Sequence, residues 1–511
     1  MAVELKKEDK SMKKMIHDIH IMAALLMASA AFTACSTDDD LITEQPQEQT
    51  PKTYTITVQA TKDLDATRGL ELSGNELNSV WEVGEKVKVV QSNASDEPTC
   101  IGELTAQTAG KYTTLTGTVD GTFDPSKELT FYLHDTTFDF SGQDGTLATL
   151  GQSHTYGYCQ KTTSEISVSG STVTINGGLT FANAQSIVRF NLVDKATGDP
   201  INATSLTVYD ASGKLIQKAD QLDPSSSGLV RGDVAIALTS ASNTVFASLS
   251  GINSSNLTLY ASDGKNLYTY TKSGVTFTNG NYYQVQVKMT KKCSVGDVIL
   301  SDGSFAAPGT AGAVAMVAYL GNDAGNATYN RGLAIALTDE SSGTLAWSEN
   351  LEELAGVSCS TDFSDHIGFL NGIADTETLN TKYSGYAATK AKNYAVAAPT
   401  GTSGWFLPSS GQWMKFFEAA GVDIYGWEKA DNIARSKGGA GDWTKLSTLL
   451  EAAAPGSSPM EDSGRRHYWT SSEYSERYAY FFMFHTTMGI EFGYWRKSIS
   501  NSCHVRPFLA F

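Results

Sequence analysis

The stretch "SGWFLPSSGQW", residues 403–413, sets two tryptophans around a proline and a pair of serines. Ser409 is a good N-cap and Gln412 follows three residues later, so the two can satisfy each other's orphan groups in a capping box. The spacing predicts a helix opening after Ser409. Trp413, Phe416, Phe417 and Ala420 then fall on one face at i, i+3, i+4 and i+7, and Gly421 supplies the stop. Pro408 keeps Leu407 extended. The segment reads as a strand end running into a capped amphipathic helix whose aromatics anchor a core.

Of the eight tryptophans, only Trp81 lies before "MTKKCSVGDVILSDGSF", and helical signals cluster after it. Tyr386 to Ala397 is alanine-rich, and Asp442 can cap a helix carrying Leu446, Leu449, Leu450 and Ala453. "HYWTSSE", "RYAYFFMF", "GIEFGYW" and "CHVRPFLAF" then read as strands, so residues 292–511 form an α+β domain. Upstream the pattern is β. "TYTITVQA" from Thr53 puts Tyr54, Ile56, Val58 and Ala60 on one face. "SVWEVGEKVKVVQ" and "LTFYLHDT" continue the pattern to about residue 165, as one β-sandwich over 53–165. A second unit over 166–291 holds "QSIVRFNLVD", "SLTVYDASGKLI", "LTLYASDGKNLYTY" and "GNYYQVQVKM", with Ser212-Gly213 and Asp263-Gly264 as turns.

The 511-residue chain has a formal charge of −17. That balance argues against a nucleic-acid partner, which needs concentrated Lys and Arg. Lys13 and Lys14 precede an apolar run from Ile21 to Phe32, which suits a secretory signal ending at residue 34, with translation starting at Met1 or Met12. "FTAC" resembles the lipobox of bacterial lipoproteins, which implies that Cys35 becomes the lipidated first residue, held in a membrane by its lipid. Residues 35–52 are acidic and polar, as in a solvated tether. Asp38 to Asp40 resemble an outer-surface export signal or serve as a hydrated spacer. Beyond Cys35, an odd set of five cysteines leaves at least one unpaired. Cys100 with Cys159, or Cys359 with Cys503, are possible bridges, and no spacing matches a zinc site.

The two β units resemble the fimbrillin family of lipidated pilins. The resemblance rests on the lipobox at Cys35, "DATRGL" around Arg68, Trp81 ahead of "VGEKVKVV", "ANAQSIVRFNLVD" and "GNYYQVQVKM". It implies two tandem transthyretin-like β-sandwiches, a place on the outer membrane at the cell surface, and assembly with other fimbrial subunits. It further implies that an arginine-specific protease cuts after Arg68, removes the first strand and opens a groove for a strand donated by another subunit. Read without the family, Arg68 is a solvated turn residue.

The last third resembles the C-type lectin-like superfamily through Gly404, Trp405, Leu407 and Pro408, then Tyr468, Trp469, Thr470 and Ser471, then Val505, Arg506 and Pro507. The tryptophans of these signatures are expected in the core. The calcium-binding triplets of sugar-binding members do not occur, so no metal is expected. The loop between Val422 and Asp442 carries Trp427, Asp431 and Asn432, which either form a ligand face or, for Trp427, belong to the core. No HExxH, P-loop or GxSxG occurs, "GGAGDW" lacks a dinucleotide fingerprint, and His467, His485 and His504 have no ligand register. The chain reads as a non-enzymatic, cofactor-free protein, mainly β. Its function is that of a fimbrial tip adhesin meeting a host, bacterial or glycan ligand, or of a surface lipoprotein that never polymerises.

Overall fold

The computed structural model describes residues 53–62, 70–73, 76–92, 98–222, 228–430, 433–455, 460, 466–500 and 503–511. Cys35, Arg68, Asp431 and Asn432 lie outside the described residues.

The alternation in "YTITVQATK" gives the strand Tyr54–Lys62, with Ile56, Val58, Ala60 and Lys62 buried. Antiparallel on one edge lies Tyr112–Val119, in register from Tyr54↔Val119 to Thr61↔Tyr112. Along the other edge run two parallel partners, Thr172–Ile175 and then Leu179–Asn183. From there the nine-stranded sheet passes through Gly157–Lys161, Leu129–Leu133, Lys86–Ser92 and Pro98–Ala106 back to Tyr112–Val119. The first strand therefore closes the sheet on itself around Trp81, Leu104, Leu115, Phe131 and Phe181. Residues 166–183 belong to this unit, so the boundary expected at 165 moves to the short link before Ser186. Leu179–Asn183 is needed there as the neighbour of the closing strand.

In the second unit, a seven-stranded sheet runs in the order Val234–Ser242, Ala203–Asp210, Ile252–Ser262, Asn266–Phe277, Tyr282–Ser294, Ser186–Asp194, Thr244–Leu249. The strand Tyr282–Ser294 serves two arms. Its first part runs parallel to Ser186–Asp194, and its last residues run antiparallel to Asn266–Phe277. Residues of both arms, Leu206, Val208 and Ile236 with Val188, Leu192 and Val287, share one core, which is sandwich packing. A segment from the first unit crosses over: Thr137–Asp139 pairs with Ile216–Asp220, and Phe138, Phe140 and Tyr156 pack into the second core.

The last third holds a five-stranded and a six-stranded sheet. The first runs Phe305–Ala306, Val298–Leu300, Ala313–Leu320, Gly332–Ala336, Phe508–Ala510, and the second has Arg466–Ser475, Tyr478–His485 and Gly489–Arg496 at its centre. The helix expected after Ser409 is Ser410–Ala419, with Gln412 Oε1 accepting from the Ser409 N–H at 3.0 Å. Gly421 follows at φ 84°, where a side chain would be strained. Trp413 is fully buried among Phe417, Tyr468, Phe482, Phe484 and Phe508. The Trp405 indole donates to Val396 O at 2.7 Å, so both tryptophans of the opening stretch are core.

Two helices depart from expectation. The alanine-rich one is shorter, Ala387–Lys392. Asp442 sits inside Ala440–Ala453 rather than capping it, and its carboxylate accepts from the Gly438 N–H at 2.9 Å. A further helix, Gly372–Lys382, had no sequence signal. All five described cysteines are free, so neither of the possible bridges forms.

Candidate functional site

Among the described residues, a strand groove and an aromatic cleft are each built to meet another molecule. The first is the groove occupied by the closing strand. Ile56, Val58 and Ala60 drop into its core face, and Lys62 continues the same period of two into the same core. The Lys62 Nζ stands 2.8 Å from Glu85 Oε2, donates to Val80 O at 2.9 Å, and lies 4.4 Å over the Trp81 ring. Both side chains of the pair are cut off from solvent, at 0 % and 1 % exposure. Glu85 is set by its own turn, where Oε2 also accepts from the Glu82 N–H at 3.2 Å and Gly84 takes a positive φ. The anion thus belongs to the body of the unit and the cation to the removable strand. Sequence reasoning stopped at Ala60 and missed this pair. The signal was available, because position 62 shares the face of 56, 58 and 60.

The second place is a cleft of about 130 Å³ in the last third, lined by Thr361, Phe363, Lys429, Tyr474, Tyr480 and Tyr494 among others. That volume is well under the roughly 300–1,000 Å³ of a small-molecule pocket, so the cleft is a surface platform and not an enclosing site. Its walls come from adjacent strands: Tyr480 stands opposite Tyr494 in the ladder. The Tyr474 and Tyr494 rings stack at 3.7 Å, and Tyr480 stacks on Phe492 at 4.5 Å. Phe363 forms one wall beneath the Lys429 ammonium, 5.4 Å from its ring, and Lys429 reaches Asp362 at 3.7 Å. Lys429 and Ile433 stand on two paired antiparallel strands, Glu428–Ala430 and Ile433–Arg435.

Trp427, placed with Asp431 and Asn432 in the expected ligand face, is 9 % exposed and packs into the core. Its ring faces Phe363, Phe417 and Phe482, and its indole donates to Asp423 O at 2.8 Å. It backs the cleft wall formed by Phe363 and does not line the cleft.

The signature residues of the last third are structural. Trp469 donates to Leu345 O at 2.7 Å, and Trp347 donates to Thr470 O at 2.8 Å. Ser471 Oγ donates to Asp375 at 2.8 Å, and the buried Arg506 meets Asp339 at 2.7 Å. These bonds join the second sheet to the helix Gly372–Lys382 and to the strand-rich start of the domain. A second buried ion pair, Lys497 with Glu473 at 2.6 Å, lies with Lys497 over the Trp347 ring at 4.8 Å.

His366 Nδ1 lies 2.9 Å from Ser410 Oγ, but both residues are fully buried, and burial pulls the imidazole down to about 4. Burial pushes the Cys359 thiol up to about 11 and the Cys503 thiol well above its usual range, away from the reactive thiolate. Among the described residues no group of three His, Cys, Asp or Glu could hold a metal ion, and no helix is long and apolar enough to cross a membrane.

No protein-family model matches the chain, and no curated protein matches it. Among solved structures, a fimbrial protein from Bacteroides ovatus is 14% identical, with a TM-score of 0.31 and 90% of this chain and 99% of that chain covered. A fimbrial assembly protein from Parabacteroides distasonis is 12% identical, with a TM-score of 0.27 and 46% and 90% covered. A shaft pilin from Lactobacillus rhamnosus GG is 11% identical, with a TM-score of 0.22 and 48% and 99% covered.

Proposed function

We propose that the protein is a lipid-anchored subunit of a surface fimbria, activated by loss of its first strand and carrying an adhesive domain in its last third. One observation carries the reading: Tyr54–Lys62 closes a sheet that would otherwise be open. It is held on one side by Tyr112–Val119 and on the other by Thr172–Ile175 and Leu179–Asn183. Its loss bares the edges of these three strands and a row of apolar pockets, the surface to which an extended segment of another chain can add. The segment 63–69 directly after this strand contains Arg68, where an arginine-specific cut would separate the strand from the body.

The last third supports a terminal place in the fibre. Tyr282–Ser294 runs straight into it, and Leu267 and Cys293 share a core with Ile299, Val317 and Leu509. A strand fixed in this way is not free to be donated. The aromatic cleft, with Asp431 and Asn432 following Ala430 in sequence, then forms the ligand face, with a sugar ring or an extended peptide as a partner that an open aromatic platform suits.

Mass spectrometry of the mature N-terminus, on protein taken from its native cell surface, tests this directly. A start at Gly69 is expected. A lipidated Cys35 with Arg68 uncut refutes activation by cleavage and leaves a standing surface lipoprotein.

A further inference from the structure

We propose that the groove beneath the first strand selects its occupant by a lysine at the position of Lys62, so that the partner is a strand of another subunit with alternating apolar residues ending in that lysine. The inference rests on the strand-exchange reading above and names what that site accepts.

Departure of Tyr54–Lys62 does more than empty the pockets of Ile56, Val58 and Ala60. It withdraws the cation from Glu85, whose side chain is 1 % exposed and held by its own turn through the Glu82 N–H. It also uncovers the Trp81 ring, over which the ammonium sat, and the Val80 carbonyl to which it donated. A buried carboxylate left without its cation is strongly destabilising, whereas one given a well-placed cation is not. An apolar strand end would cover the carboxylate without supplying the ammonium that Lys62 brings to it. A glutamate would set two anions together there. The Glu85 carboxylate, the Val80 carbonyl and the Trp81 ring converge on one ammonium, which fits the flexible stem and compact charge of lysine.

The charge also fixes register. Apolar pockets repeating every two residues accept a strand slid by two about as well as one in place. A single buried Glu85 at the end of the row does not, because only one register brings the lysine to it. The arrangement therefore discriminates between strands and between alignments of one strand, which apolar pockets alone do poorly.

For the test, the full chain is cut after Arg68, and the cut is confirmed by mass. Its first strand is released in mild denaturant, and fluorescent peptides of residues 53–62 are offered to the open groove. The parent peptide is expected to enter, with Lys62→Met weaker by roughly 100-fold. In a Glu85→Gln chain that preference should vanish or invert. Equal binding of the parent and Lys62→Met peptides to the unsubstituted groove overturns lysine selection while leaving strand exchange standing. So does a preference that survives Glu85→Gln. Failure of the parent peptide to enter overturns strand exchange itself, and the inference with it. The peptide variants need no folding of their own, so a weakened Glu85→Gln chain does not blunt the comparison.

Discussion

Ile56→Ala should open the first unit without disturbing the other two. Ile56 is fully buried in the core with Trp81, Leu115 and Val173. Its antiparallel partner is Gly117, which has no side chain to swing into the space left by the lost carbons. A cavity that cannot collapse places the cost in the upper part of the range for such truncations, about 3–4 kcal/mol. Thr57, on the exposed face of the same strand, sets the baseline: Thr57→Ala should cost under about 1 kcal/mol.

A chain with several separate cores does not unfold in one step, so a global melting curve would blur the effect. Cys159 is a local reporter. It is buried in the same core as Ile56, on Gly157–Lys161, while Cys293 and Cys503 are buried in other cores. Pulsed thiol labelling across a urea series, read residue by residue by mass, should show Cys159 exposed at lower urea in Ile56→Ala. Protection at Cys293 and Cys503 should not change. The same substitution in a peptide of residues 53–62 should weaken its entry into the cut protein by roughly 100- to 1,000-fold, the same energy expressed as affinity. A loss under about 1 kcal/mol at Cys159 would refute the claim that this strand is an integral wall of the core. Equal loss at all three thiols would refute the independence of the units.

Three further outcomes are expected. Burial raises the Asp375 carboxyl to about 6, so its contribution to stability is full below about pH 4 and is lost as pH rises through about 6, by about 3 kcal/mol. Asp375→Asn should remove that slope, so the stability of the variant relative to the parent rises from pH 4 to 7; parallel curves would count against a buried, titrating Asp375. Tyr494→Ala or the exposed Lys429→Ala should reduce retention on immobilised glycan or on target cells by about tenfold or more with little change in unfolding, if the cleft is the adhesive face; unchanged retention removes the cleft from that role. Native-state thiol labelling should modify the exposed Cys100 first and leave Cys293 and Cys503 untouched until unfolding, and a disulfide-linked peptide pair would contradict this.

What could be read in advance follows the range of the interactions. The first strand and the helix after Ser409 are written in local period and capping chemistry, and both occur where the spacing places them. The helix Gly372–Lys382 left no such trace, because its buried face carries Asp375 and Thr376, which bond to Ser358, Ser471 and Leu407. Its stripe is polar and is satisfied only by residues far along the chain. The cleft was unreadable for a related reason. Tyr474, Tyr480 and Tyr494 become neighbours through strand register, which no single segment encodes. The crossing of Thr137–Asp139 into the second unit likewise depends on a strand, Ile216–Asp220, that follows it by some distance.

The closing strand reconciles two demands that otherwise conflict. A subunit awaiting assembly needs a closed, protected core, and an assembling one needs open edges. A strand inside a single continuous ladder would serve only the first, since removing it would divide the sheet. Tyr54–Lys62 instead completes a ring, so the strands from Leu179–Asn183 round to Tyr112–Val119 stay joined to one another without it, and only the hairpin of Ile166–Ser169 and Thr172–Ile175 loses its ladder to the rest. The Lys62–Glu85 pair adds a demand that apolar contacts alone do not make, because an occupant that covers Glu85 without supplying a cation seals a buried anion. The open groove, with its apolar row wetted, is closed fully only by a strand that restores both the apolar row and the charge. On this argument, Glu85→Gln should leave the persistence of the cut, empty subunit little changed while making it less selective among incoming strands. A substitution that merely damaged folding would lower both.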